Sequence, residues 1–305
     1  MGARPVFTCA PYLLENQPEF GEIIGWSESN AVIYANSILG ARTLKHPDYL
    51  DLFIAMTGRA PKSGVYLDDG RIAQTVISVE IRNIEPDDLF WSIIGWVAGK
   101  LSPNNIPLII GLEHLKPETD DLKALCAAFG TTSGAPMLHI SGHTPEAHLP
   151  PASTAKSYFV DRDTLKQAWE ALNKGEKLID LVAIGSPHAS FDEVKKIEGY
   201  FLNRKCHPKT TMIITVGRQT LRRLKQEGIY QRILEFNAQI IPDICWCSIT
   251  EPVFPPHTRN IITNSGKYAH YAYGLSGRHA RLSSLQDCVE AAITGLAPMS
   301  LPNWF

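Results

Sequence analysis

The chain has 305 residues, 44% of them apolar and 20% charged, which predicts a folded protein of one or two domains rather than a disordered chain. Its net charge of −2 provides no basic field for nucleic acid or an acidic membrane surface. No stretch approaches the roughly 20 consecutive apolar residues of a membrane span. The N-terminal "MGARPVFTCAPYL" lacks the apolar core of a secretory signal. The expectation is therefore a cytoplasmic protein with no nucleic-acid or membrane partner. The cysteines are Cys9, Cys126, Cys206, Cys245, Cys247 and Cys288, with no compact C-x-x-C pairing. Disulfides are not expected in a cytosolic chain of this size, which leaves buried thiols or metal ligands.

Taken in chain order, 27–42 and 47–57 read as helices, the second with Pro47 in its first turn. The alternating "RIAQTVISVEI" (71–81) reads as a strand with one open face, and 86–100 as a helix. From about residue 104, short apolar runs alternate with amphipathic stretches. Strands are predicted at 106–112, 135–142, 178–184, 210–217, 238–243 and 259–266. Helices are predicted at 117–129, 162–175, 190–203, 218–236 and 283–294. This alternation predicts an α/β fold with mainly parallel sheets flanked by helices. The polar, proline-rich "HTPEAHLPPAST" marks a boundary near 145–155. Two domains are expected, a helix-rich α/β part over 1–150 and an α/β domain over 151–305. Ligands of such sheets bind beyond the C-terminal ends of strands, which singles out the turns at 141–146, 185–190, 243–251 and 263–270.

Five stretches carry chemical content. In "TCAPYL" (8–13), Pro11 shapes the loop after Cys9, whose sulfur could face a metal or simply pack. In "SESNAVIYANSILGART" (27–43), Asn30, Asn36, Ser37 and Arg42 lie in an apolar helical stretch and must find partners, a small polar ligand or a neighbouring helix. In "LVAIGSPHASFDEV" (181–194), an apolar strand stops at Gly185 and a turn brings Ser186 and His188 to the start of a helix. Ser190 is a good N-cap there, the helix amides could hold an anion, and His188 could be an acid, a ligand or a turn residue. No G-x-S-x-G elbow is present. In "PDICWCSITEP" (242–252), Cys245 and Cys247 alternate; on an extended strand end they face one side, with Trp246 opposite. Such thiolates suit a soft metal or an iron–sulfur cluster, and two core thiols are the alternative. In "TNSGKYAHYAYGLSG" (263–277), Lys267 and His270 follow a strand in a polar, glycine-bearing loop, and Lys267 could neutralise a carboxylate or phosphate.

Together and in this order, "TCAPYL", "SNAVIYANSILGARTLKHPDYLDLFIAMTGRAP", "GLEHLKPETDDLKAL", "GHTPEA", "GSPHASFDE", "DICWC" and "TNSGKYAHY" resemble the aconitase X family over residues 8 to about 295. The resemblance implies an aconitase-like dehydratase that carries an iron–sulfur cluster, 2Fe-2S or 4Fe-4S. It acts on a small hydroxylated carboxylate, cis-3-hydroxy-L-proline in one branch and phosphomevalonate in the other, and the "CWC…EP" form looks closer to the first. By position, Cys9 and Cys245 match expected cluster ligands, with Cys247 as a further candidate. Ser186 stands where a third cysteine is expected. Lys267, His188 and Ser186 are the candidate catalytic residues, and Asn36, Ser37, Arg42 and His270 the candidate substrate-binding ones. Relative to the family the chain looks short at its N-terminus, and a small swivelling subunit is the implied partner. Two other readings stay open. One is a non-catalytic scaffold that keeps the fold; the other is a different α/β enzyme that uses Lys267 and His188 without a cluster.

Overall fold

A computed structural model of the chain describes residues 6–47, 49–81, 84–298 and 300–305. They form two compact units. One comprises Tyr12–Ile84 and Ile93–Lys166; the other comprises the described residues up to Pro11, Glu85–Ser92 and Gln167–Phe305.

The elements before residue 173 are α1 (Ser29–Tyr34), α2 (Leu50–Thr57), β1 (Thr75–Val79), α3 (Asp88–Leu101), β2 (Pro107–Ile110), α4 (Thr119–Thr132), β3 (His139–Ile140), β4 (Lys156–Val160) and α5 (Arg162–Leu172). The four strands form one sheet in the order β3-β2-β1-β4, parallel throughout. β1 alternates buried and half-buried side chains, as its alternating sequence requires. α1 continues into a π-helical turn, Ala35–Leu39. Arg71 is fully buried. Its Nε donates to both Glu146 carboxylate oxygens at 2.8 Å, Nη1 donates to Val65 O at 2.9 Å and Nη2 to Asn36 O at 2.9 Å. A buried charge persists only when satisfied in this way.

The second unit carries β5 (Leu181–Ala189), α6 (Phe191–Phe201), β6 (Thr211–Val216), α7 (Arg218–Gln226), α8 (Ile229–Glu235), β7 (Ala238–Pro242), β8 (Asn260–Thr263), α9 (Gly266–Ser276), β9 (His279–Leu282) and α10 (Leu285–Thr294). Its five strands are parallel in the order β7-β6-β5-β8-β9. Both faces of β5 and β6 are buried, so their sequences are continuous apolar runs. Within β5 the faces alternate. Val182 and Ile184 pack with Val194, Ile214, Leu224 and Val289, while Leu181 and Ala183 pack with Ile213, Trp246, Ile261 and Tyr268. The chain steps outward from β5 through β6 to β7, then returns to place β8 on the other side of β5. The strand order therefore reverses between β5 and β8, and a crevice opens beyond the C-terminal ends of strands at such a reversal.

The α/β architecture with parallel sheets matches the sequence expectation, but several elements differ. β5 does not stop at Gly185. It runs to Ala189, with its pairing to β6 shifting register between Ile184 and Ala189; Pro187 has no amide to give the ladder. The single helix expected over 218–236 is two, broken at Gly228 with φ +72°. The expected loop after β8 is the helix α9, and the strands β4 and β9 had no counterpart in the sequence pattern. Cys245 does not end an alternating strand. It precedes a 3-10 turn, Trp246–Ser248, that buries Trp246 and leaves Cys247 exposed.

Candidate functional site

The five-stranded unit gathers chemistry at its strand-order reversal. The end of β5 supplies Ser186 and His188, the segment after β7 supplies Cys245, the N-terminus of α9 after β8 supplies Lys267, and the N-terminal segment supplies Thr8 and Cys9.

The end of β5 is fixed by its backbone. Gly185 has φ +102°, and a Cβ there would lie 2.3 Å from Thr215 O, so only glycine fits. Thr215 Oγ1 donates to Gly185 O at 2.7 Å, and Trp246 Nε1 donates to Ile184 O at 2.8 Å. The Trp246 indole thus ties the Cys245 segment to β5. Asp243 ties the same segment to α7, accepting from the Arg218 amide at 3.0 Å and from Arg218 Nε at 2.7 Å.

His188 joins the two thiol-bearing loops. Its ring is 1% exposed. Nε2 lies 2.9 Å from Ile244 O and Nδ1 lies 3.1 Å from Thr8 Oγ1. A carbonyl can only accept, so Nε2 carries a proton and donates to Ile244 O. Thr8 Oγ1 in turn accepts the Ala10 amide at 3.1 Å, and the His188 amide donates to Cys9 Sγ at 3.3 Å. His188 therefore touches the loop of Cys9 twice and the residue before Cys245 once.

The thiols of Cys9 and Cys245 are hydrogen-bonded to each other. Hydrogen bonds from Cys247 and Cys9 push the Cys245 thiol well below its ordinary value, aided by the Cys247 amide and the Lys267 charge and opposed by burial. Cys9 moves the other way, because it is hydrogen-bonded to Cys245, buried, and beside the Cys245 charge; the His188 amide and Lys267 oppose this. Lys267 is buried in the first turn of α9. Ser265 caps that helix, accepting the Tyr268 amide at 3.0 Å, and donates its hydroxyl to Ser186 O. Ser186 is 4% exposed, and its Oγ has no hydrogen-bond partner. Among the described residues no three His, Cys, Asp or Glu side chains gather closely enough to hold a metal ion.

The remaining candidates belong to other segments. Asn36 and Ser37 belong to the four-stranded unit. Asn36 is buried, donates to Thr43 O at 2.8 Å and Pro136 O at 2.9 Å, and accepts the Thr43 amide at 2.9 Å. Ser37 accepts the Leu138 amide at 3.0 Å. Arg42, in the same unit, donates to Tyr66 O at 2.9 Å and pairs with Asp68. His270 is exposed on α9, its ring edge-on to Tyr271. Ser190 is the N-cap of α6 in a capping box with Glu193, as expected. The sequence reading did not find Thr8, Trp246 or Ser265 as site residues. Ser265 had a signal, a serine immediately before a helix start. Thr8 had none, since its partner is distant in sequence.

Comparison with known proteins covers the whole chain. Three family models match: the aconitase X first domain over residues 1–69, the second domain over 73–170 and the third domain over 179–294. Cis-3-hydroxy-L-proline dehydratase of Pseudomonas aeruginosa is 45% identical over 312 residues, covering 100% of this chain and 53% of that protein. The phosphomevalonate dehydratase large subunit of Thermococcus kodakarensis is 35% identical over 295 residues, covering 96% of this chain and 74% of that protein. The crystal structure of Thermococcus kodakaraensis aconitase X in its holo-form superposes with a TM-score of 0.86 at 34% identity, covering 96% of this chain and 74% of that one. The chain thus spans about half the length of the cis-3-hydroxy-L-proline dehydratases it matches.

Proposed function

The chain belongs to the aconitase X family, and from that premise we propose that it is an enzyme, a hydro-lyase that removes water from a hydroxylated carboxylate, cis-3-hydroxy-L-proline. One observation carries this reading: two hydrogen-bonded thiols and a buried lysine meet where the strand order reverses. Identity favours this substrate over phosphomevalonate, at 45% against 35%. The phosphomevalonate reading is kept as the second, because the large subunits are matched over more of their length, 74% against 53%.

The donor set fits an iron–sulfur centre in kind, since thiolates are the ligands such a centre uses. Cys9 and Cys245 would hold it, with Cys247 hydrogen-bonded alongside. Iron bound there would supply a Lewis acid for the departing hydroxyl. The chain's own residues do the rest. Lys267 places a positive charge beside the thiolate, where it also favours a substrate carboxylate. Ser265 fixes the first turn of α9 and so the base of Lys267. His188, with both ring nitrogens engaged, is a positioning residue that keeps the two thiol loops in register. The amides at the start of α9 add partial positive charge toward an anion in the crevice.

The large-subunit names of the archaeal relatives support a second polypeptide, a small subunit, as partner. The test is an anaerobic assay with the iron-reconstituted chain, alone and with a polypeptide supplying the part of the relatives beyond the match. Cis-3-hydroxy-L-proline is offered beside phosphomevalonate, and loss of one water is read by mass spectrometry. Turnover of the first alone is expected. Turnover of phosphomevalonate alone would select the second reading, and turnover of neither in either setting would overturn both.

A further inference from the structure

We propose that Cys9 and Cys245 are a redox pair: in the metal-free chain a small-molecule disulfide closes them into a reversible protein disulfide, a modification that withdraws both sulfurs from iron. The bond itself stands on geometry, and its effect on iron rests on the metal-dependent dehydratase reading above. The two residues are far apart in sequence, yet their thiols are in hydrogen-bond contact. One residue holds both. The His188 amide donates to Cys9 Sγ at 3.3 Å, and the His188 ring donates from Nε2 to Ile244 O at 2.9 Å, one residue before Cys245. Thr8 Oγ1 lies 3.1 Å from the other ring nitrogen and accepts the Ala10 amide, which fixes the Cys9 loop on both sides of the cysteine. Trp246 is buried and donates to Ile184 O at 2.8 Å, which fixes the segment after Cys245. Two groups held in contact meet at an effective concentration far above that of any reagent in solution. A mixed disulfide formed on one cysteine is therefore resolved by the other.

The exchange balances. The thiolate of one cysteine attacks a sulfur of the small disulfide, whose S–S bond breaks as a mixed disulfide forms and one small thiolate leaves. The thiolate of the second cysteine attacks the protein sulfur of that mixed disulfide; the Cys9–Cys245 bond forms and the second small thiolate leaves. The two protein thiol protons end on the two released thiolates, so the pair is oxidised and one small disulfide is reduced to two thiols. Cys9 and Cys245 are half-buried and open to a small reagent, whereas Cys126, Cys206 and Cys288 are buried. Cys247 is the competing partner, exposed and hydrogen-bonded to Cys245. It shares with Trp246 a 3-10 turn that the anchored indole holds in place, so a bridge within C-x-C must distort that turn. A bridge between residues distant in sequence also restricts the unfolded chain far more than one across a single residue, which favours Cys9–Cys245 at equilibrium. Cys247 keeps its thiol.

The experiment prepares the full chain metal-free and reduced, treats it anaerobically with oxidised glutathione, and follows it by intact mass, alkylation and peptide mapping. The expected product is two hydrogens lighter than the reduced chain, joins the Cys9 and Cys245 peptides, leaves Cys247 open to alkylation and reverts with dithiothreitol. Its urea midpoint is expected to shift upward. Cys247→Ser is expected to close the same bond, and Cys9→Ser and Cys245→Ser to lose it. A Cys245–Cys247 bridge in the parent, glutathione adducts on Cys9 or Cys245 that do not resolve, or no change at either residue overturns the proposal. If Cys247→Ser fails to fold, the peptide map of the parent decides alone. Ferrous iron is then offered anaerobically to the reduced and the oxidised chain, and iron per chain is measured after a chelator column. The oxidised chain is expected to lose the iron retention of the reduced one and to regain it once dithiothreitol has reduced it and been removed. Equal retention by both forms overturns the withdrawal of the sulfurs. If the bond forms and the reduced chain takes up no iron, the metal-dependent reading fails and the redox pair stands.

Discussion

Replacing His188 with alanine tests whether the brace between the thiol loops is what makes the site. The side chain is buried and makes two hydrogen bonds, to Ile244 O at 2.9 Å and Thr8 Oγ1 at 3.1 Å. Truncation leaves the half-buried Ile244 carbonyl short of a donor, a loss at the lower end of about 1–3 kcal/mol. The Thr8 hydroxyl keeps its bond from the Ala10 amide and contributes at the low end of that range. The space left by the imidazole adds a packing term, so the total is about 2–5 kcal/mol. That is a large share of the roughly 5–15 kcal/mol by which domains are stable. The His188 amide to Cys9 survives the change, so Cys9 stays near while the Ile244–Cys245 segment loosens. Iron retention is expected to fall about 10- to 100-fold, as for other supporting residues of metal sites. Urea unfolding of the metal-free chain gives the first quantity, and chelator competition after anaerobic reconstitution gives the second. His188→Gln, which can still donate to Ile244 O, is expected to recover part of both. A His188→Ala chain within about 0.5 kcal/mol of the parent, the range of ordinary surface changes, and with full iron retention would refute the brace.

Gly185→Ala sets a methyl group 2.3 Å from Thr215 O at φ +102°. A loss of about 2–4 kcal/mol is expected in urea midpoints, since neither backbone can yield freely. Glu146→Gln leaves the buried Arg71 guanidinium without a charged partner and is expected to cost about 3–5 kcal/mol by the same measurement. Burial pushes His139 below its ordinary value, against the pull of the Arg71 carbonyl and Glu146. The folded state thus binds fewer protons than the unfolded one. The stability it contributes is complete above the unfolded value of about 6.5 and is lost as pH falls toward the folded one; His139→Gln is expected to flatten that fall in urea titrations between neutral and acidic pH. Lys267 lowers both thiols, so Lys267→Met is expected to move the pH profile of iodoacetamide alkylation of the metal-free chain upward. An unmoved profile would place the lysine's charge elsewhere.

The parallel α/β architecture was legible because buried strands are written as apolar runs. Leu181 to Ile184 and Thr211 to Val216 are continuous because both their faces are covered. What misled were residues whose local habits lose to packing. Gly185 and Pro187 are turn formers, yet the chain stays extended through them because Thr215 and Trp246 hold the carbonyls before the proline. The α9 segment reads as a polar loop, but Gly266, Lys267, Tyr268 and Ala272 are buried and a serine cap starts the helix. At the site, Cys9 and Cys245 were singled out by family resemblance, and the two thiols lie in hydrogen-bond contact. The work of His188 was not, because its partners are a backbone carbonyl and a threonine far away in sequence, and neither leaves a pattern. Asn36 showed the converse: a buried polar residue in an apolar helix was noticed, and its partners proved to be backbone groups of its own unit.

Hydrogen bonds to uncharged partners make up the brace. Lys267 already sets a field at the site and lowers both thiols. The Cys9 loop, the Cys245 segment and the helix of Lys267 come from separate stretches of the chain, so their spacing depends on the ties between them. An ion pair used as the tie would bring a further field to shift the thiols. His188 instead donates from Nε2 to the Ile244 carbonyl and meets the Thr8 hydroxyl at Nδ1, two groups with no formal charge. A carboxylate in place of Thr8 would set a negative field beside the thiols and raise them, against the pull of Lys267. Ties to a carbonyl and a hydroxyl hold the loops without adding a partner charge to that of Lys267.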